Sequence, residues 1–184
     1  MKYRKVLPLI FFAILVGVFV LLSSSNSKQN KIAQSLPTNK QAFTTKETAK
    51  ILRVVDGDTI KVLINNKEET VRLIGIDSPE VLDEKKSVQC FGKEASAKAK
   101  EVLTGKTITL ESDPTQGERD EYGRLLRYVF LADGTNFNEF MISEGYAREY
   151  TFKGNSYGYQ SEFKNAEKKA LKSKKGLWAD DICD

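Results

Sequence analysis

The chain has 184 residues, with 29 Lys and Arg against 25 Asp and Glu, a formal net charge of +4 and no histidine. That length accommodates one ordinary domain with its own core. The missing histidine excludes imidazole bases, histidine metal ligands and phosphohistidine intermediates, so any hydrolysis must run on carboxylates, arginines and oxygen-bound metal. Lys2, Arg4 and Lys5 supply three of the four net charges. The remainder is close to neutral, and phosphate binding there would take the form of a local basic rim around an acidic pocket.

Residues 6–22 form an apolar run without a charge behind Lys2, Arg4 and Lys5. This is the layout of a secretory signal, and it is also near the lower length limit for a spanning helix. Residues 1–25 therefore read either as a cleaved signal peptide or as a retained N-terminal membrane anchor. In both cases the basic flank stays cytoplasmic and the rest is exported, secreted or held on the outer face of the cytoplasmic membrane. Residues 26–48 are rich in Ser, Asn, Gln, Lys and Thr and read as a flexible linker. A folded domain is expected over 49–180, with 181–184 as a C-terminal tail carrying Cys183.

Within the domain, short β-rich runs occupy 51–55, 59–64, 70–76, 107–110 and 126–131. Asn65-Asn66-Lys67 supplies one turn and Asp133-Gly134 another. Helical spacing places Ala95, Ala99, Val102 and Leu103 on one face of 93–103, and Phe137, Phe140 and Met141 on one face of 137–143. In 159–174 it turns Phe163, Ala166, Ala170 and Leu171 inward, with Gly176 as the stop. Trp178, Tyr146, Phe137 and Phe140 read as core residues, and the lysines of 168–175 as a solvated helix face. Five short strands with interspersed helices predict an α+β fold, mainly β: a five-stranded Greek-key barrel carrying three helices. The two cysteines, Cys90 and Cys183, sit in a chain bound for an oxidising compartment. A disulfide returning the C-terminus to the domain is one reading, and two thiols too far apart to bond is the other.

Two runs concentrate charge, Val55-Asp56-Gly57-Asp58-Thr59 and Arg72-Leu73-Ile74-Gly75-Ile76-Asp77-Ser78-Pro79-Glu80. In a regular strand Arg72 and Asp77 would face opposite sides. One shared site therefore requires a break in the alternation, and Gly75 is the place for it. Asp58 and Asp77, with the Ser78 carbonyl, form an oxygen-only donor set suited to Ca²⁺ or Mg²⁺, and export favours calcium. An EF-hand is excluded, because the twelfth position counted from Asp56 is Lys67. Asp-Gly is also a common turn signal, which would leave these acids structural. In Asp120-Glu121-Tyr122-Gly123-Arg124, the arginine follows a tight turn. It reads as a second phosphate grip beside Arg72, since guanidinium holds two phosphate oxygens at once, or as a surface ion-pair residue.

Taken in order with Phe91-Gly92-Lys93-Glu94-Ala95, these runs resemble the staphylococcal nuclease (thermonuclease) family over about residues 48–180. The resemblance implies an OB-type barrel with three helices that hydrolyses DNA and RNA with Ca²⁺ and leaves 3′-phosphate ends. By motif, Asp58, Asp77 and the Ser78 carbonyl would bind calcium with Asp56 behind them, and Arg72, Glu80 and Arg124 would be catalytic. Lys85, Lys86 and Tyr122 would contact or flank the bound nucleotide, and Tyr150 would match a pocket tyrosine. Other members carry Thr or Ala at the Ser78 position, a change that a backbone ligand tolerates. Glu121 stands where staphylococcal nuclease has a basic residue, which implies weaker nucleotide affinity. DNA and RNA are the expected partners, the membrane another if the leader is retained, and a monomer the expected state. Two other classes compete: a catalytically silent barrel that binds nucleic acid or protein, and a tethered surface protein with structural calcium. The joint presence of Arg72, Asp77, Glu80 and Arg124 speaks against the first, and the paired arginines against the second.

Overall fold

The computed structural model describes residues 44–81 and 89–183. The expected leader at 1–25, the linker as far as residue 43, and Lys85 and Lys86 lie outside those residues. Among the described residues no helix is long and apolar enough to cross a membrane. The first strand, β1 (Lys46–Val54), begins inside the stretch read as linker. Lys46 to Lys50 pair with Glu111 to Thr107, which draws this polar segment into the sheet. Register with the next strand shifts between Ile51 and Arg53, where Leu52 is left exposed. Such a bulge bends an edge where a barrel must close.

Strand β2 (Thr59–Ile64) turns Ile60, Val62 and Ile64 inward by simple alternation. Asn65 and Asn66, at φ 48° and 64°, form the two-residue hairpin turn into β3 (Lys67–Leu73). The expected single strand at 70–76 is broken here. Gly75 has φ +77°, and a Cβ on it would lie 2.6 Å from the Tyr157 ring. Only glycine meets both demands without strain. Beyond the bend, β4 (Ile76–Asp77) leaves the barrel and pairs with β7 (Arg148–Glu149), a strand the sequence pattern did not announce. Strands β5 (Thr107–Glu111) and β6 (Leu125–Phe130) complete the closed order β1-β2-β3-β6-β5, with β3 and β6 parallel. This is the five-stranded OB barrel.

Helix α1 (Gly92–Leu103) buries Ala95, Ala99 and Leu103, one residue per turn. Helix α2 (Phe137–Ser143) is capped by the Asn136 side chain, which accepts from Asn138 N and Glu139 N. Helix α3 (Gln160–Lys172) buries Phe163, Ala166 and Ala170, whereas Leu171, expected inside, is exposed. It sits one residue, about 100° of helix rotation, past Ala170 and so off the buried stripe. Leu177 takes the core position expected of Trp178, whose half-buried ring carries the Arg148 guanidinium at 4.4 Å. The lysines at 168, 169, 172, 174 and 175 are exposed, as expected. Cys90 and Cys183 are joined in a disulfide with Cα atoms 5.6 Å apart. Buried Asn138 accepts from Val129 N at 3.0 Å and donates to Ile74 O at 2.9 Å, fixing the bend against the barrel wall.

Candidate active site

The loop Asp56–Asp58 enters β2 with Asp58 almost wholly buried, 3% exposed. Asp58 Oδ2 accepts from Ser78 N at 2.8 Å and from Ser78 Oγ at 3.2 Å, and Oδ1 accepts from Thr59 Oγ1 at 3.0 Å. The two acidic runs of the sequence are thereby pressed together. Gly57 permits the contact, because a Cβ there would lie 2.6 Å from Ser78 Cβ. Asp56 braces the loop from its other side, accepting from Asp58 N at 3.0 Å.

Arg72 is the clamp across the bend. Its Nη1 donates to Leu73 O at 2.7 Å and to Ile76 O at 2.8 Å, while Nη2 reaches Asp77 Oδ1 at 3.4 Å and Nε lies 3.2 Å from Asp58 Oδ1. The break at Gly75 thus puts Arg72 and Asp77 on one side, as the spacing required. Arg124 emerges from a turn built around Asp120. The Asp120 carboxylate accepts from Tyr122 N, Arg124 N and Arg124 Nε, the last at 2.6 Å. The guanidinium lies over the Tyr122 ring at 5.3 Å. Arg119 secures the same turn, donating to Gly123 O at 2.7 Å and bidentately to Glu69.

Arg72, Asp77, Arg124, Tyr122 and Tyr150 line one cleft of about 510 Å³. Asp56, Asp58 and Ser78 are not part of this lining. Glu80 stands outside the lining, yet its carboxyl senses the charges of Asp58, Asp77, Arg72 and Arg124. Glu80 is held by Gln89, whose side chain accepts from Glu80 N at 3.0 Å and whose N donates to Glu80 O at 3.1 Å. The same cleft is lined by residues that sequence reasoning missed: Thr115, Gln116, Arg119, Phe152, Lys153, Asn155 and Tyr157. For Phe152 and Tyr157 the aromatic run at 146–159 is a signal in the sequence, whereas the others carry none.

Burial, then the charges of Asp58 and Glu80, push the Asp56 carboxyl up to about 6. Burial and Asp58 raise Asp77 against the pull of Arg72 and Arg148. Burial, Asp58 and Asp77 raise Glu80. The acids destabilise one another's ionised forms, which is the electrostatic environment that a cation relieves. The available donors are all oxygens. Among the described residues no three acidic side chains form a ready-made cage. The set expected from the sequence, the Asp58 and Asp77 carboxylates with the Ser78 carbonyl, would suit a hard cation that also takes water and phosphate oxygens.

A family model described as staphylococcal nuclease homologue matches residues 70–180. A thermonuclease of Staphylococcus hyicus is 43% identical over 133 residues, 72% of this chain and 76% of the relative. Endonuclease YncB of Bacillus subtilis (strain 168) is 39% identical over 128 residues, covering 69% of this chain and 59% of the relative. The SPbeta prophage-derived endonuclease YokF of the same organism is 41% identical over 128 residues, 69% of this chain and 42% of the relative. The chain thus spans three quarters of the first relative but under two thirds of the two from Bacillus.

Proposed function

The chain belongs to the staphylococcal nuclease homologue family and is an enzyme of nuclease type; from that premise we propose that it is a calcium-dependent phosphodiesterase that hydrolyses DNA and RNA outside the cytoplasm and leaves 3′-phosphate ends. The observation that carries this reading is the convergence of Arg72, Asp77 and Arg124 on one cleft, with the Glu80 carboxyl within range of their charges.

Arg72 and Arg124 approach the cleft from different elements, β3 and the turn before β6, so they can grip a phosphodiester from two directions. Each is aimed by a carboxylate, Arg72 by Asp58 and Asp77 and Arg124 by Asp120. Fixed donors of this kind favour the extra charge that develops as phosphorus becomes five-coordinate, with little reorganisation. Glu80 serves as general base and takes a proton from the attacking water. A carboxyl raised by burial and by neighbouring acids is a stronger base than a free one. Asp58, Asp77 and the Ser78 carbonyl would hold calcium, which supplies Lewis-acid polarisation of a phosphate oxygen when bound. Tyr122 and Tyr150, both exposed on the cleft, offer ring faces to a nucleotide.

Export rests on the apolar run at 6–22 behind three basic residues and agrees with the presence of a disulfide. The deciding assay incubates the purified protein with denatured DNA and with RNA, in calcium and then in excess chelator. Cleavage in calcium only, with product ends that a polymerase extends only after phosphatase treatment, is the expected result. A folded protein that cuts neither polymer in calcium would overturn the reading. Fractionation of expressing cells tests export, and activity confined to the cytosol would overturn that part.

A further inference from the structure

Asp77 belongs to two cavities. On one side it lines the main cleft. On the other it lines a smaller one of about 200 Å³, shared with Pro79, Gln89, Arg148 and the two half-cystines Cys90 and Cys183. Arg148 stands directly opposite Asp77 in the β4–β7 pair, so the two side chains rise on the same face of that ribbon. Arg148 is exposed, and the Trp178 ring backs one face of its guanidinium at 4.4 Å. Stacking of this kind covers the plane of the cation and leaves its N–H edge available to a ligand. The platform itself is fixed. Leu177 is buried and donates to Gly145 O at 2.9 Å, and the disulfide pins Cys183 beyond it. At about 200 Å³ the cavity is smaller than the ~300–1,000 Å³ of sites that enclose a whole drug-sized molecule, and it suits a phosphate group with part of its sugar.

We infer that this cavity is a second phosphate subsite of the same enzyme, in which Arg148 takes the phosphodiester next to the scissile one, on the side of Asp77 away from Tyr122 and Tyr150. The inference rests on the nuclease reading and deepens it. A strand held on both sides of the scissile linkage is cut internally, so the subsite favours endonucleolytic cleavage over trimming of ends. The ligand class is a polynucleotide strand carrying consecutive charged phosphates.

The test uses trinucleotides with one cleavable phosphodiester, whose neighbouring linkage cannot be cut and is either charged, with a CH2 group in place of the 5′ oxygen, or an uncharged methylphosphonate. Both arrangements are made, with the neighbour on the 5′ side and on the 3′ side. The quantity read is the gain in kcat/KM from the neighbouring charge, in wild type, Arg148→Gln and Arg148→Lys. Because each gain is a ratio within one protein, a partly misfolded variant does not distort it. In wild type the charged neighbour on one side should raise kcat/KM about tenfold, mainly through KM, as a charge-assisted contact does. In Arg148→Gln that gain should collapse on the same side alone, and Arg148→Lys should keep part of it. A gain that survives in Arg148→Gln, or that falls equally on both sides, overturns the subsite. Fluorescence anisotropy on the labelled trinucleotides separates the two readings. If wild type binds them and cuts none, the nuclease reading fails, and the Arg148-dependent gain in affinity still decides the subsite.

Discussion

Arg72 links the two acids expected to hold calcium, with Nε 3.2 Å from Asp58 Oδ1 and Nη2 3.4 Å from Asp77 Oδ1, while Nη1 ties Leu73 O to Ile76 O across the bend. These acids lie on separate elements, and four contacts from one planar group set their relation. A lysine keeps the charge but has a single ammonium, which cannot span that arc. Arg72→Lys is expected to lose about 10²–10³-fold in kcat, the scale seen when one oriented donor is removed from a charge-developing site. Steady-state rates on denatured DNA in saturating calcium check this, and a kcat within fivefold of wild type would remove Arg72 from the machinery.

Arg124 differs in being aimed from behind. Asp120 occupies its Nε and its main-chain N, which leaves the terminal nitrogens for phosphate. Burial pushes the Asp120 carboxyl up, but hydrogen bonds from Arg124 and Tyr122 outweigh it and hold the group below the ordinary carboxylate value. It is therefore an anion throughout the working range. Arg124→Lys should lose most activity, because the two-pronged contact goes. Asp120→Asn should lose less, about tenfold, since the asparagine oxygen can still accept from the main chain. If Asp120→Asn proved the more damaging of the two, Arg124 would be a structural ion-pair residue.

The third prediction concerns the contact between the acidic runs. Gly57→Ala would set its Cβ 2.6 Å from Ser78 Cβ and 2.7 Å from Ser78 Oγ. The loop must retreat, taking Asp58 from Ser78 N. Overpacking of this kind costs about 1–3 kcal/mol. The expected signature is a lower Tm together with a higher calcium concentration at half-maximal activity. A variant with a lowered Tm and an unchanged calcium requirement would show that the Asp58–Ser78 contact does not shape the cation site.

Much of this arrangement was legible in the residues. β2 and α2 occupy the spans their periodicity marks, because each carries its own punctuation: the Asn65-Asn66 turn for one and the Asn136 cap for the other. The break at Gly75 followed from the conflict between strand alternation and a shared site. What stayed hidden depends on contacts between distant segments. The two residues of β7 have no pattern of their own and are strand only because β4 lies beside them. Polar Lys46 to Thr48 belong to the barrel because β5 offers them a ladder. Arg119 and Tyr157 reach the cleft through partners 50 and 82 residues away, Glu69 and Gly75, and no local spacing reports such pairings.

The part of the cleft lined by Thr115 and Tyr157 depends on a buried acid, Asp113. It accepts from Tyr128 OH, from Gly158 N at 2.7 Å, and from both the main chain and the hydroxyl of Thr115. The neighbouring Gln116 donates its Nε2 to Ser156 O at 2.9 Å, so the network holds the segment that carries Tyr157. Burial pushes the Asp113 carboxyl up, yet the hydrogen bonds from Gly158, Tyr128 and Thr115 together bring it below its ordinary value. Tyr128, raised by its burial and by Asp113, stays a donor. A depressed folded-state pKa stabilises the fold above the unfolded value of about 3.9, and that stabilisation is lost as pH falls through the folded value. Asp113→Asn, which brings an amide N–H among donors, should cost about 1–3 kcal/mol at pH 7. The gap in Tm between wild type and variant should then narrow as pH falls below about 4, because only wild type has this carboxylate to protonate. Thermal unfolding of both proteins from pH 7 down to pH 3 checks the sign. A gap that stays constant or widens toward acid would mean that packing around Asp113, and not its charge, holds this part of the cleft in place.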